Sequence, residues 1–283
     1  QFDNYLCSLP QNTTELTKEI VLEWTKRKSF EATSTQLGRI SLMRGLAEYM
    51  SRMGKKAYIC PKSLVTVNRY SYTPYIFSKK EIASIFYACD NFPASKESPN
   101  RQIILSLVIR MIYGCGLRIS EAVNLTVSDV NLNEGTIFIK DTKFGKERLI
   151  PMADTLKKRC REYSILVLTG KSDTSYFFPS PFGGHYKNHT IYGLFRRVLW
   201  AAGISHTGKG PRLHDMRHTY AVHCLKKWAL ANRDMTNCMP YLSAYLGHED
   251  LRGSQRYLRL TADLYPDITS KVEKNCSWLI PEV

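Results

Sequence analysis

The chain has 283 residues, 43% of them hydrophobic and 23% charged, with a formal net charge of +15. That length makes two domains with real cores the natural expectation, and the ordinary hydrophobic content excludes a disordered chain. No run of about 18 apolar residues exists to span a bilayer and no basic amphipathic anchor is evident, so the surplus of Lys and Arg points to a polyanion, nucleic acid first.

The eight cysteines (7, 60, 89, 115, 160, 224, 238 and 276) are scattered without a C-x-x-C pair. They read as small buried hydrophobes in a reducing compartment, and the expected location is cytoplasmic, at the nucleoid when bound to DNA. No signal-peptide pattern is present, and a start at Gln1 reads as a fragment whose N-terminal neighbour is out of view.

In chain order, Leu16, Ile20 and Trp24 stand four apart and predict one amphipathic helix. Residues 34–53 predict a second, with Ser34 as N-cap, Leu37, Ile40, Leu46 and Met50 on one face, and Gly54 ending it. Arg39, Arg44 and Arg52 fall on its polar side, as a solvated face or one turned toward DNA. Together these make a small helical domain over 1–66.

Residues 67–77 carry a Pro and no helical period, and read as a linker. Ser78-Lys79-Lys80-Glu81 is a capping box that opens the larger domain, 78–283. IILSLVIRMIYG (103–114) is apolar nearly all round and predicts a buried helix, ending at Gly114-Cys115-Gly116. Arg118 follows at once, either paired with Glu121 or pointing into a cleft.

At 136–139 (TIFI) and 147–151 (ERLIP) the period changes to that of strands, joined by a basic turn with Lys143 near its tip and Lys140 and Lys146 beside it. Helices are expected at about 153–168 and 189–202, flanking a loop with His185. A helix over 213–228 carries His214 and Arg217 three apart on one face. A planar fork of donors beside an imidazole suits a phosphate. A short helix, MPYLSAYLG, ends at Gly247, which sets His248 just past a helix end, and Tyr257 lies nine residues on, between Arg256 and Arg259. The apolar residues of 266–283 need a docking surface, in cis or on another copy.

His214-Asp215-x-x-His218 mimics a zinc-binding H-E-x-x-H helix, but Arg217 would repel a dication and no third ligand presents itself. No metal is expected. His218 and Asp215 read better as packing groups that fix His214 and Arg217. His185 and His189 read as solvated loop residues. Phosphate-loop and dinucleotide glycine patterns are absent, and no cofactor is expected.

GCGLRISEAVNL, KFGKERLIP, LHDMRHTYAVH and LGHEDLRGSQRY stand in an order and spacing that resembles the catalytic domain of the tyrosine recombinase (phage integrase) family, relatives of the type IB topoisomerases. The resemblance spans about 75–265; residues 1–66 are similar, more loosely, to that family's core-binding domain. It implies a mainly α fold with a small antiparallel, three-stranded β-sheet in the catalytic domain, and a two-domain clamp around duplex DNA. It also implies roles. Tyr257 would attack a scissile phosphate, leaving a 3′-phosphotyrosyl link and a 5′-hydroxyl. Arg118 and Arg217 would clamp the non-bridging oxygens, His248 would hydrogen-bond the phosphate, His214 would assist proton movement at the tyrosine, and Lys143 would protonate the departing 5′ oxygen. Four protomers would assemble two DNA sites, with 266–283 exchanged between protomers and the outcome the integration or excision of a mobile element.

The chemistry is consistent with such a site. A phenol of ordinary pKa about 10 needs a base or cationic surround to attack at neutral pH, and fixed donors on a phosphate stabilise the transition state without a metal. Two rival readings remain: a DNA-binding protein of this fold without chemistry, and a relaxing topoisomerase. A covalent adduct lost in Tyr257→Phe separates the first rival, and recombinant products as opposed to relaxed circles separate the second.

Overall fold

A computed structural model describes residues 1–9, 15–66, 73–140, 145, 147–208, 210–248, 252–258 and 260. Lys143, residues 67–72 of the expected linker and the segment 266–283 lie outside them. The chain divides into two compact units, Gln1–Thr73 and Pro74–Val283.

The first unit holds helices α1 (Phe2–Cys7), α2 (Lys18–Thr25) and α3 (Thr33–Arg52). Its core is Leu16, Val21, Ile40, Met43, Ala47 and Cys60, with Trp24 packed against it. Helix α3 starts one residue before the expected cap: Ala32 is the N-cap, in extended backbone, and Ser34 lies inside the helix. Arg39 is no part of a solvated face. It is buried over the Trp24 ring, pairs with Glu31 at 2.6 Å and donates to the Trp24 and Lys26 carbonyls. Arg44 donates to the carbonyls of Cys60 at 2.8 Å and Pro61 at 3.1 Å. Both arginines tie this unit's own loops to α3.

The second unit opens with α4 (Lys79–Asp90), whose capping box is formed: Ser78 Oγ accepts the Glu81 N–H at 3.2 Å, and Glu81 Oε2 accepts the Ser78 N–H at 2.7 Å. Helix α5 (Arg101–Gly114) buries eight residues, Ile104 to Ile112 among them, as its all-round apolarity predicts. After α6 (Ile119–Val123) come β1 (Val130–Asn131), β2 (Thr136–Ile139) and β3 (Arg148–Pro151), an antiparallel sheet in the order β1-β2-β3. Ile137 pairs with Val130 on one side and Ile150 on the other, which puts those three on the buried face. The two-residue β1 is too short to show a period in the sequence.

Helix α7 (Asp154–Tyr163) passes into a wider π turn at Ser164–Leu168, so the helix expected over 153–168 changes pitch near its end. Helices α8 (Asn188–Ala201), α9 (Leu213–Leu230), α10 (Met235–Leu246) and α11 (Arg252–Leu258) follow. A main core surrounds α5, and a second cluster joins α9, α10 and α11 through Ala221, Val222, Leu225, Leu242, Leu246 and Tyr257. Among the described residues, no helix is long and apolar enough to cross a membrane.

Candidate active site

The last turn of α10 organises the site. A helix end leaves its final carbonyls without intrahelical donors and carries partial negative charge. Here three successive carbonyls each take one arginine. Arg148 Nε donates to Tyr245 O at 3.0 Å, Arg217 Nη2 to Leu246 O at 2.6 Å, and Arg118 Nη2 to Gly247 O at 3.2 Å. Gly247 closes the helix in the left-handed conformation at φ 64° and ψ 49°. A Cβ there would lie 2.8 Å from Arg148 Nη1, so glycine serves both the backbone and the close approach.

One carboxylate binds the same three cations. Glu121 Oε1 accepts from Arg118 Nη1 at 2.6 Å and Arg148 Nη1 at 3.1 Å. Its Oε2 accepts from the Arg118 N–H and Arg148 Nη2, both at 2.8 Å, and lies 3.9 Å from Arg217 Nη1. Burial raises the pKa of this carboxyl, but the Arg148 and Arg118 contacts outweigh it and hold Glu121 below its ordinary value. Arg118 is therefore both things the sequence allowed: paired with Glu121, and 22% exposed at the rim of a polar cleft with Ser120, Asn124, Thr126, Lys140 and Tyr176.

Arg217 is 1% exposed. Its second amino group donates to Gly116 O at 2.5 Å, which makes the GCG turn a ligand of the arginine. Burial, then the Arg118 charge, push its pKa down to about 10, against the pull of Glu121; it stays charged at neutral pH. Gly116 holds φ 59°, and a Cβ would meet Leu246 Cδ2 at 2.6 Å and Tyr220 Cδ1 at 2.8 Å.

Beside the arginines stands a row of rings. Tyr257 is 2% exposed, and its hydroxyl lies 2.9 Å from His218 Nδ1. The His218 ring is edge-on to His214, centroids 4.7 Å apart, while the His248 and Tyr257 rings stack at 6.1 Å. His248 Nδ1 bonds Ser254 Oγ at 2.7 Å, so α11 is fastened to the turn after α10. Asp215 accepts the Arg212 N–H at 2.7 Å and caps α9.

Arg118, Arg217, His214, His248 and Tyr257 thus fall in one cluster, while Lys143 lies outside the described residues. Its neighbour Lys140 is engaged by Asp129 at 2.5 Å. The sequence reading missed Arg148 and part of what His218 touches. His218, read as a packing group, is buried and meets the His214 ring edge-on, and its Nδ1 also lies 2.9 Å from the Tyr257 hydroxyl. Arg148 gave no signal, because a charged residue on a short strand is ordinarily solvated. His185 is half-buried in its loop, with Nδ1 2.8 Å from Tyr186 O and its ring against Tyr176, and His189 is exposed. Among the described residues no group of three or more His, Cys, Asp or Glu side chains could hold a metal ion.

The model of the phage integrase family matches residues 76–263. A Sinorhizobium fredii protein described as an integrase/recombinase, y4rB, is 30% identical over 277 residues, covering 93% of this chain and 86% of its own. The tyrosine recombinase XerD of Vibrio cholerae is 25% identical, over 85% of this chain and 74% of its own. In fold, the chain is similar to the XerH site-specific recombinase bound to palindromic difH substrate in a post-cleavage complex, with a TM-score of 0.65 at 22% identity, covering 93% of this chain and 71% of that one. With a family match over most of the second unit and a relative aligned along nearly the whole length, the chain belongs to the phage integrase family, the tyrosine site-specific recombinases.

Proposed function

We propose that this recombinase cuts and rejoins duplex DNA through a 3′-phosphotyrosyl intermediate on Tyr257, in the service of a mobile element. The observation that carries the reading is the convergence of Arg118, Arg217, His248 and Tyr257 on the turn after α10, where two fixed guanidiniums stand beside a phenol. A phosphate seated there meets donors already oriented by main-chain carbonyls, so little reorganisation accompanies charge build-up on its oxygens. Arg118 and Arg217 clamp the non-bridging oxygens and His248 adds a hydrogen bond. Lys143 protonates the departing 5′ oxygen, a contribution typically of about 10²–10⁴-fold. His214, exposed on α9 three residues before Arg217, assists proton movement at the tyrosine. The phosphotyrosyl bond conserves the energy of the broken one, so religation to a new strand needs no ATP.

Both units contact one duplex in this scheme, and four protomers exchange strands in pairs while 266–283 docks on a neighbour. The test is covalent trapping on a pool of nicked duplexes from the native host, followed by sequencing of the trapped ends. An adduct made by the wild-type chain and lost in Tyr257→Phe is expected, and the recovered ends name the site and the process. No adduct, with DNA still bound, would leave a binding protein without chemistry.

A further inference from the structure

Arg148 is the third cation of the cluster, and the strand-cutting scheme gives it no task. It opens β3, yet its side chain is only 8% exposed. All three of its nitrogens donate: Nε to Tyr245 O at 3.0 Å, Nη1 to Glu121 Oε1 at 3.1 Å and Nη2 to Glu121 Oε2 at 2.8 Å. The fork of amino groups that would grip a phosphate is turned onto a carboxylate instead. We infer that Arg148 is a positioning residue for strand cleavage, which acts through Glu121 and the last turn of α10 to keep Arg118 free to meet the phosphate. This rests on the strand-cutting function proposed above.

Glu121 stands between two guanidiniums, and Arg148 decides how it is shared. Oε1 accepts one amino group from each arginine, while Oε2 accepts the Arg118 backbone N–H and Arg148 Nη2. The Arg118 side chain therefore holds one carboxylate oxygen through Nη1, and its Nη2 goes on to Gly247 O at 3.2 Å. A carboxylate left to one guanidinium favours two parallel bonds to it. Without Arg148, Arg118 would close both amino groups on Glu121 and turn from the polar cleft it borders. The charge changes with the geometry. Three guanidiniums against one carboxylate leave a net charge of +2, and the loss of Arg148 halves it where negative charge gathers in the transition state.

The second attachment works in the same direction. Arg148 Nε fastens β3 to the turn whose next two carbonyls receive Arg217 and Arg118. One side chain thus sets both the carboxylate and the backbone on which the clamp rests. The chain also makes room for it, since Gly247 is bare where Arg148 Nη1 passes and a Cβ there would lie 2.8 Å away. A displacement of about 1 Å in such a support is enough to cost about 10²-fold in rate.

The experiment is single-turnover cleavage of a nicked duplex bearing the trapped sequence, at saturating protein, with wild type, Arg148→Lys, Arg148→Met and Ile104→Val. Lysine keeps the charge but sets one ammonium where three nitrogens stood, and methionine removes the charge as well. Ile104→Val trims one methylene from the core around α5 and controls for lost stability. All are assayed at a temperature where calorimetry shows each one folded. Both Arg148 variants should bind the duplex within about threefold of wild type, because binding is spread over many phosphates. Both should cleave about 10–10²-fold more slowly, while Ile104→Val keeps the wild-type rate. A methylphosphonate at the scissile position is neutral and asks less of a cation, so the deficit should shrink to about threefold or less in one of its two diastereomers. A 5′-bridging sulfur, which leaves without a proton, should restore neither variant. Arg148→Lys at the wild-type rate overturns the inference, as does equal slowing in Ile104→Val. A deficit undiminished in both diastereomers, or one cured by the 5′ sulfur, overturns it too. A wild-type chain that traps no DNA removes the strand-cutting reading, whereas a competent wild type with an unaffected Arg148→Lys removes this inference alone.

Discussion

Replacing Glu121 by Gln should unsettle the second unit far more than a one-atom change suggests. The native carboxylate accepts four hydrogen bonds, two on each oxygen, from Arg118 and Arg148 and from the Arg118 backbone, and its side chain is 5% exposed. A carboxamide keeps one acceptor oxygen and turns an NH₂ toward the donors on the other side. Two of the four bonds are lost, and three guanidiniums then share a pocket whose acceptors among the described residues are main-chain carbonyls, Gly116 O and the row at the end of α10. Removing one partner of a buried ion pair costs about 3–5 kcal/mol. At roughly 2–4 °C per kcal/mol for a domain of this size, the midpoint of thermal unfolding should fall by roughly 6–20 °C.

Acid titration supplies a second arm of the same test. The folded carboxyl titrates below its ordinary value of 4.5, so its stabilisation is complete above about pH 4.5 and is lost as pH falls through the folded value. Wild type and Glu121→Gln should therefore converge as the solution is acidified below pH 4.5. Calorimetric melts at pH 7 and along an acid series measure both effects. A shift under 2 °C at neutral pH, or a gap that widens in acid, would refute the argument that this carboxylate is what lets the three cations coexist.

Gly116→Ala should destabilise by about 1–3 kcal/mol, because the new methyl meets Leu246 and Tyr220 below 3 Å at a positive φ; urea unfolding checks it. Arg148→Lys should cost about 1–3 kcal/mol in the same assay, since one ammonium cannot serve the Tyr245 carbonyl and both Glu121 oxygens. DNA binding should weaken by roughly 10³–10⁵ between 50 and 200 mM salt if about six to ten phosphates are neutralised, and a flat titration would contradict the inference from net charge. Deleting 266–283 should reduce oligomers on DNA in a sedimentation assay while leaving the adduct with Tyr257 intact.

The elements legible in the sequence were those with a strong local signal. The capping box at Ser78, the all-round apolar α5 and the alternation of TIFI each dictate backbone geometry within a few residues, and each is found where expected. The candidate site residues could be named through a resemblance resting on several separated segments, not on any one of them. Long-range partners were not legible. Arg39 sits on the polar side of its helix by periodicity, yet Glu31 and Trp24 draw it inward. Arg148 and His218 act through contacts that span 97 and 39 residues, which no window of the sequence displays.

The oxygen atoms that grip the three guanidiniums belong to residues 245, 246 and 247, and a peptide oxygen is the same whatever side chain its residue bears. The position of the charges therefore answers to the path of the backbone. The side chains of residues 245 and 246 take no part in that grip, which holds so long as the path, with its left-handed bend at Gly247, is kept. An anchor of this kind lets the side chains of those residues diverge and still aims the same three cations at the same point.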